Sequence, residues 1–468
     1  MKLARLRLAA LVSAVSLASS GGAQQDKPRD LPRRPRLEAG ADSNSAAAYY
    51  YHGMARLRTN PIEATTAFYW ASRLDPSWAE ALYARRIAFH MSDLQRFSRY
   101  VDGARYVIES KEVRQADSLL LKAMLRNPFL YRALDKVLIE ELPRPVPVED
   151  DDVVLRVRAC ALNRMDLFLR EGLRGPGVRT AHLPHVSGGD VAGEIAEVGP
   201  GVDGWRAGDR VVVYPGLSCG TCEWCTQGEE SMCSTYRILG EDVHGGLAEY
   251  CLVGARNLER LPRGLGFEAA AALPAAYTTA WRMVVTVGQL APHERVLVLG
   301  AGGGVGSAAV QLARRIGAHV FAVTAGPERA RRLAGIGADR PIDRSVEDFE
   351  SVVATETKGR GVDLVVNPVG GATWPPAIRS LAKGGRMLIC GATIGDNPDF
   401  SMRELYQSHR QIRGAPLGNR RDFRAVLDLA ARGEIDPVVD RVLPLEETAE
   451  AQRALEQGEI FGKVVIAP

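Results

Sequence analysis

Net charge is what this sequence has least of. Its 59 Lys and Arg stand against 56 Asp and Glu, a formal +3 over 468 residues. Such a balance sets up no field for a nucleic acid or an acidic partner, and neither is expected. Long apolar runs are missing too. Residues 8–18 form the one candidate, and they are too few to span a bilayer, so no transmembrane segment is expected. Cysteine is scarce and odd in number, seven in all, and four of the seven crowd between Cys219 and Cys233. That crowding argues for a metal site rather than a disulfide framework. What remains is a globular composition, 46% hydrophobic and 25% charged, on a chain too long for one ordinary domain.

The front half changes character several times. Residues 1–23 read as a secretory signal: Lys2, Arg5 and Arg7, then the apolar run, then small residues at Gly21, Gly22 and Ala23. Residues 24–44 are rich in Arg, Pro, Asp and Gly without an apolar period, and read as a flexible linker. Residues 45–121 turn helical, with helices expected over 46–58, 62–74 and 78–90, closed by Asn60-Pro61 and Asp75-Pro76. Ala64, Phe68, Ala71 and Pro76 carry the spacing of the second helix of a tetratricopeptide repeat. Ala116, Leu120, Ala123 and Pro128 repeat it at a distance that does not fit that period. A plain helical pair is the alternative, and a protein partner at this front is one use for it. The aromatic clusters Tyr49-Tyr50-Tyr51 and Phe68-Tyr69-Trp70 are expected to pack rather than to cage a ligand. Residues 122–125 read equally as a first strand or as the end of the helices, with the boundary placed near Leu121.

The rest of the chain is organised around residues 296–306, Val-Leu-Val-Leu-Gly-Ala-Gly-Gly-Gly-Val-Gly. Four apolar residues bounded by glycine read as a buried strand. The glycines let the backbone turn and approach a ligand with no Cβ in the way. A helix from Ser307 to Ile316 follows, and a second strand from His319 to Thr324. Strand, glycine loop, helix and strand in that order make a dinucleotide fingerprint, with a diphosphate at the helix N-terminus. Gly302, Gly303, Gly304, Val305 and Gly306 are the expected cofactor loop. Residues 362–367 and 385–391 read as further parallel strands, which adds Val369, Gly391 and Ala392 as cofactor neighbours at the strand ends.

From Val153 onward the sequence resembles the medium-chain dehydrogenase/reductase superfamily, and more narrowly its quinone-reductase-like, zinc-lobe-bearing members. The motifs are Val157-Arg-Ala-Cys-Ala-Leu-Asn163, Gly188-Gly-Asp190 with Gly193, Gly208-Asp-Arg-Val211, the cysteine cluster, Gly245-Gly-Leu-Ala-Glu-Tyr250, the glycine loop and Gly462-Lys463. The resemblance implies an α/β fold, with a GroES-like β-rich catalytic domain (122–275, resumed over 418–468) and an inserted Rossmann domain of doubly wound parallel sheet (276–417). A small α-helical region precedes them. It also implies a substrate cleft between the two domains, a homodimer and one structural zinc held by Cys219, Cys222, Cys225 and Cys233. Four thiolates at such spacing can close a tetrahedral site with no open position. In an exported protein, disulfides among the four would compete with zinc. The leader and the thiolate site thus pull towards different compartments.

Two absences bear on the chemistry. Alcohol dehydrogenases of this superfamily hold a catalytic zinc with a Cys, a His followed by Glu, and a second Cys. The matching positions here are Asn163, Gly189 followed by Asp190, and Ala275. An amide, a glycine and an alanine make no N/S zinc site. His182 and His185 lie nearby on a Pro-containing loop and read as surface residues. No catalytic metal is therefore expected, and the acceptor should be already polarised, a quinone or an α,β-unsaturated carbonyl. Related quinone reductases carry Asn-x-x-Asp-x-Tyr beside the nicotinamide. Here Asn163 and Asp166 are kept and the Tyr is Phe168, so Tyr277 is the available hydroxyl nearby, with packing as its alternative role. The second absence is of an acid at the end of the second Rossmann strand, where NAD enzymes hold the ribose. Thr324 ends that strand and Arg329 follows, so NADPH is the expected cofactor. Two other readings share the sequence: a zinc alcohol dehydrogenase with unusual ligands, and a non-enzymatic scaffold that uses the helical front.

Overall fold

The computed structural model describes residues 34–37, 42, 44–57, 60–74, 137, 139, 141–171, 185–395 and 401–468. The expected signal, the third front helix, residues 122–125 and His182 lie outside the described residues. The chain falls into two compact units, one containing the front and the other containing nearly all of the chain from residue 137 onward.

The described front is a helical pair, α1 (Ala46–Arg56) and α2 (Pro61–Leu74). Ser45 caps α1 by accepting from the Ala48 amide, as a serine one residue before a helix should. Gly53 is what lets the pair close: a Cβ there would lie 2.7 Å from Phe68. Tyr49, Tyr50, Phe68 and Trp70 are buried in the pair's own small core, and the Arg34 guanidinium sits 4.5 Å over the Trp70 ring. Five of the six clustered aromatics therefore pack, as expected, and Tyr51 is exposed.

The larger unit holds two large sheets and a two-stranded ribbon. The first begins with β1 (Asp152–Ala161), followed by the short helix α3 (Arg164–Glu171), β2 (Asp190–Val198) and β3 (Arg210–Val213). A two-stranded ribbon, β4 (Gly216–Leu217) with β5 (Arg237–Ile238), brackets the cysteine cluster. The strands β6 (Tyr250–Gly254) and β7 (Leu258–Arg260) return to the first sheet. Next come α4 (Ala276–Trp281) and the second sheet. Its strands are β8 (Arg295–Val298), β9 (His319–Thr324), β10 (Arg340–Asp343), β11 (Val362–Asn367), β12 (Leu381–Ile389) and β13 (Gln411–Gly414). They pair in parallel in the order β10-β9-β8-β11-β12-β13. Their order reverses at β8, the switch point where such sheets bind ligands. Within this stretch α5 (Gly304–Ile316) follows the glycine loop and α6 (Pro327–Gly335) follows β9. After α7 (Arg420–Ala431) the chain rejoins the first sheet through β14 (Val439–Pro444) and β15 (Lys463–Ala467), giving the order β14-β15-β1-β2-β3-β7 with β6 on β1. This is the expected α/β plan of a β-rich domain interrupted by a Rossmann sheet.

The strands are continuous apolar runs because both faces of the parallel sheet are covered. Val296, Leu297, Val298, Val320, Ala322, Leu364, Val365 and Val366 are all fully buried. Glycine is obligatory at Gly306, where a Cβ would lie 2.3 Å from the Gly300 carbonyl oxygen and 2.6 Å from the Ala301 Cα. Both obstacles are backbone, so nothing flexible can yield. Gly306→Ala should destabilise the protein by about 3 kcal/mol or more, read as a lower melting temperature together with lost nucleotide binding. An unchanged melt would refute the close approach.

Candidate active site

Three neighbouring strands place the site. Ala161, at the end of β1, pairs with Asp190, at the start of β2, and with Val465 near the start of β15. Asn163, two residues past Ala161, and Lys463, two before Val465, are therefore carried to the same edge as Asp190. There they meet. The Lys463 ammonium donates to Asn163 Oδ1 at 2.6 Å and to Asp190 Oδ2 at 2.9 Å. Asn163 Nδ2 donates to the same Asp190 oxygen at 2.9 Å. The other oxygen, Oδ1, accepts from the Ala275 amide at 2.8 Å. Lys463 and Asp190 are almost wholly covered, at 3% and 0% side-chain exposure, and Asn163 is half-buried. Charges are buried only when paired, and this pair is satisfied on both sides.

The same edge touches the glycine loop. Gly462 donates to the Gly302 carbonyl at 2.9 Å, and Gly462 and Gly303 form a parallel bridge. A Cβ on Gly304 would lie 2.8 Å from the Lys463 stem, so the lysine runs directly over the start of α5. The first amides of α5, on Gly304, Val305 and Gly306, have no helical carbonyl four residues before them and are free to hold an anion. The remaining expected cofactor residues gather at the carboxyl ends of the strands. Thr324 Oγ1 lies 3.0 Å from where a Gly302 Cβ would be, Val369 lies 2.9 Å from the equivalent point on Gly300, and Gly391 faces the Pro368 carbonyl. Ala392 packs against Gly370 in the adjoining turn. These residues fit a dinucleotide, whose nicotinamide would supply a hydride.

Three expected residues play quieter parts. Asp166 accepts from the Asn163 amide at 2.7 Å and from the Gly188 amide at 2.9 Å, so it ties the end of β1 to the turn before β2. Burial pushes its carboxyl up to about 6, against the pull of the Asn163 amide and the Lys463 charge. Tyr277 is fully buried. Its hydroxyl accepts from the Val438 amide (3.0 Å) and from Gln311 Nε2 (3.1 Å), and donates to the Asp436 carbonyl (3.2 Å). Burial raises its phenol well above the ordinary range. The packing role therefore replaces the available hydroxyl. Arg329 donates to the carbonyls of Gly458 and Ile460 instead of standing free. Arg332 is likewise engaged, with Asp440 and over the Phe461 ring.

Sequence places Asp190 and Lys463 in the motifs Gly188-Gly-Asp190 and Gly462-Lys463 without giving either a role; the structure pairs them. A signal was there: each charge opens an apolar run, Val191-Ala192 and Val464-Val465-Ile466, and a charge so placed needs a buried partner.

At the metal lobe, the four Sγ atoms of Cys219, Cys222, Cys225 and Cys233 lie within 4.8 Å of one another, and theirs is the one such donor group among the described residues. The 219–225, 222–225 and 219–233 pairs are separated by 3.9, 3.5 and 3.6 Å. They approach the edge of a ZnS4 tetrahedron, about 3.8 Å for 2.3 Å bonds. All four are free thiols, and the Thr221 and Cys222 amides point at Cys219 Sγ. The donor set fits one structural zinc.

Purified, chelator-washed protein should carry one zinc per chain, and Cys233→Ser should lose it and melt lower; two zinc ions would overturn the assignment of Asn163, Gly189 and Ala275 as non-ligands. Tyr277→Phe should lower stability by about 1–3 kcal/mol, because it orphans the Val438 amide, while leaving turnover within about twofold. A large fall in kcat at unchanged stability would restore a catalytic phenol.

The described geometry agrees with what the chain is similar to. Residues 149–263 match the alcohol dehydrogenase GroES-like domain, and residues 304–432 match the zinc-binding dehydrogenase domain. Neither match reaches the helical front, so the tetratricopeptide reading gains no support from them. An NAD-dependent alcohol dehydrogenase of Sulfolobus acidocaldarius is 33% identical over 342 residues, 70% of this chain and 98% of that protein. An acryloyl-coenzyme A reductase of Metallosphaera sedula is 33% identical over 330 residues, 70% of this chain and 95% of that protein. A crystal structure of an NAD-dependent alcohol dehydrogenase superposes with a TM-score of 0.67 at 40% identity, covering 70% of this chain and 95% of that one. With the interrupted β-rich domain, the parallel nucleotide sheet and the four-cysteine lobe, these likenesses show that the chain belongs to the zinc-binding dehydrogenases of the medium-chain dehydrogenase/reductase superfamily, as an oxidoreductase.

Proposed function

We propose that the protein is an NADPH-dependent reductase of an α,β-unsaturated carbonyl or a quinone, working without a catalytic metal. One observation carries the reading. The positions that hold zinc in the alcohol dehydrogenases are here an amide, a glycine and an alanine, and a buried Lys463–Asp190–Asn163 cluster ties them together. A metal there would have to share the space with an ammonium group. Without a Lewis acid, hydride transfer needs an acceptor whose π-system is already electron-poor. The relative named as an acryloyl-coenzyme A reductase acts on such an acceptor by its name. The relative named as an NAD-dependent alcohol dehydrogenase favours the second reading, an alcohol–carbonyl couple with NAD.

For the cofactor, the absent acid supports NADPH. β9 ends in Thr324, and Ala325 and Gly326 follow it with no carboxylate. The nearest acid in register, Asp343 on β10, accepts through Oδ1 from the Gly326 amide at 2.8 Å and the Ser345 amide at 3.0 Å, which engages that oxygen with the turns after β9 and β10. Arg329 adds positive charge close by, although its guanidinium is partly taken up by backbone carbonyls.

Equilibrium titration of nucleotide fluorescence should give a dissociation constant for NADPH at least about tenfold below that for NADH, equivalent to ~1.4 kcal/mol. Thr324→Asp should reverse the order, since a carboxylate repels the 2′-phosphate. Equal constants would remove the NADP half of the proposal. Turnover of primary or secondary alcohols, with none of enones or quinones, would remove the other half.

A further inference from the structure

The orientation of the Asn163 amide is set by two neighbours of opposite polarity. An ammonium carries only donors, so the Asn163 atom 2.6 Å from Lys463 Nζ is the carbonyl oxygen. An ionised carboxylate only accepts, so the atom 2.9 Å from Asp190 Oδ2 is the amide nitrogen. Asn side chains are usually ambiguous by a half-turn, and this one is not. Asp190 is itself fixed by the Ala275 amide, so the whole arrangement is braced from three separate segments.

The amide nitrogen has two hydrogens and spends one on Asp190. The second has no partner among the described residues. Asn163 is also the one partly exposed member of the cluster, because Lys463 and Asp190 are covered. An ammonium against Oδ1 draws electron density through the amide and strengthens the remaining N–H as a donor.

We propose that Asn163 Nδ2–H is the electrophilic donor to the acceptor's carbonyl oxygen, and that Lys463 is the positioning residue that holds it so. This rests on the reductase reading above. A reduced nicotinamide held at the glycine loop would supply the hydride, with its electron pair, to the β-carbon of the enone and would itself be oxidised. The C=C π pair would then make the C=C of an enolate, and the carbonyl π pair would move onto the oxygen that Asn163 faces. The amide N–H hydrogen-bonds that oxygen and is not transferred; a proton from water completes the α-carbon. The N–H faces charge that develops only as hydride arrives, so its contribution belongs to kcat more than to binding.

The test uses the full-length protein with 2-cyclohexenone and NADPH. Asn163→Ala should lower kcat by about 10²-fold, the usual loss for one oxyanion donor, with the NADPH dissociation constant changed less than about threefold. Lys463→Arg, which keeps a donor on Asn163 Oδ1, should retain most of the activity. Lys463→Met should lose it, and pairing it with Asp190→Asn avoids leaving a bare buried carboxylate if the single variant fails to fold. A second readout needs no turnover. The carbonyl stretch of bound 13C-labelled enone should lie at lower frequency in the unmodified protein than in Asn163→Ala. An Asn163→Ala protein with unchanged kcat, or with the same carbonyl frequency, overturns the assignment alone. A protein that binds no NADPH, or reduces no enone, overturns the reading on which it rests.

Discussion

The Lys463–Asp190 ion pair is the constraint on which the rest of the active half depends. Its two residues lie 273 positions apart and meet at 2.9 Å with almost no exposure. A pair of this kind adds little net stability, because desolvating both charges offsets most of their attraction. Breaking it is a different matter, since either partner alone would be left charged in a dry place, at about 3–5 kcal/mol. The consequence is specificity of arrangement. β15 cannot slide on β1, and β2 cannot move from the Ala275 segment, without stranding a charge. Gly462 and the lysine stem also rest on the glycine loop, so the catalytic edge and the nucleotide loop are set by one contact.

A second buried charge cluster does for the cysteine lobe what the first does for the active edge. Arg282, nearly covered, bonds Glu229 at 2.9 Å and Asp422 at 3.4 Å. Glu229 lies in the lobe, three residues past Thr226 and four before Cys233, and Asp422 lies in the first turn of α7. Asn419 completes the clamp, donating to Glu229 at 2.8 Å and accepting from the Ser231 amide at 3.0 Å. A zinc at the four thiols would thus order more than its own loop, because the lobe's backbone is the anchor point for the segment where the chain leaves the Rossmann sheet.

What could be read from sequence was local, and what could not be read was tertiary. The glycine loop announces itself because strand, turn and helix are contiguous and each leaves a short-range mark. The cysteines do so because a tetrahedral site needs ligands at short, regular spacing. Asp190 and Lys463 each leave a mark, a charge at the head of an apolar run, but nothing local pairs them; only the fold shows that residues on β2 and β15 flank one end of β1. Tyr277 was weighed as a catalytic hydroxyl because it sits near the domain junction, yet its three partners come from α5 and from the segment before β14, which no local pattern links to it. Arg329 suggests a phosphate ligand because a guanidinium just past the second Rossmann strand suits a 2′-phosphate. The carbonyls that take it up belong to the turn before β15, more than a hundred residues on.

The departure from the metal-binding pattern is built into the backbone as well as into side-chain identity. A Cβ on Gly189 would stand 2.6 Å from the Leu239 carbonyl oxygen. That carbonyl cannot withdraw, because Gly240 and Gly245 pack so closely on Gly188 that Cβ atoms there would lie 2.5 and 2.2 Å from its backbone. The Gly246 amide then donates to the Gly188 carbonyl at 2.8 Å, and Gly245 donates to Val186 at 2.7 Å. The turn before β2 is thereby sealed against the 239–246 loop with no room for an imidazole. Restoring a His at 189 would require that loop to lift, and a Cys at 163 would take one of its two acceptors from the Lys463 ammonium. The backbone packed around Gly189 and the ammonium against Asn163 thus both oppose a metal ligand at those two positions.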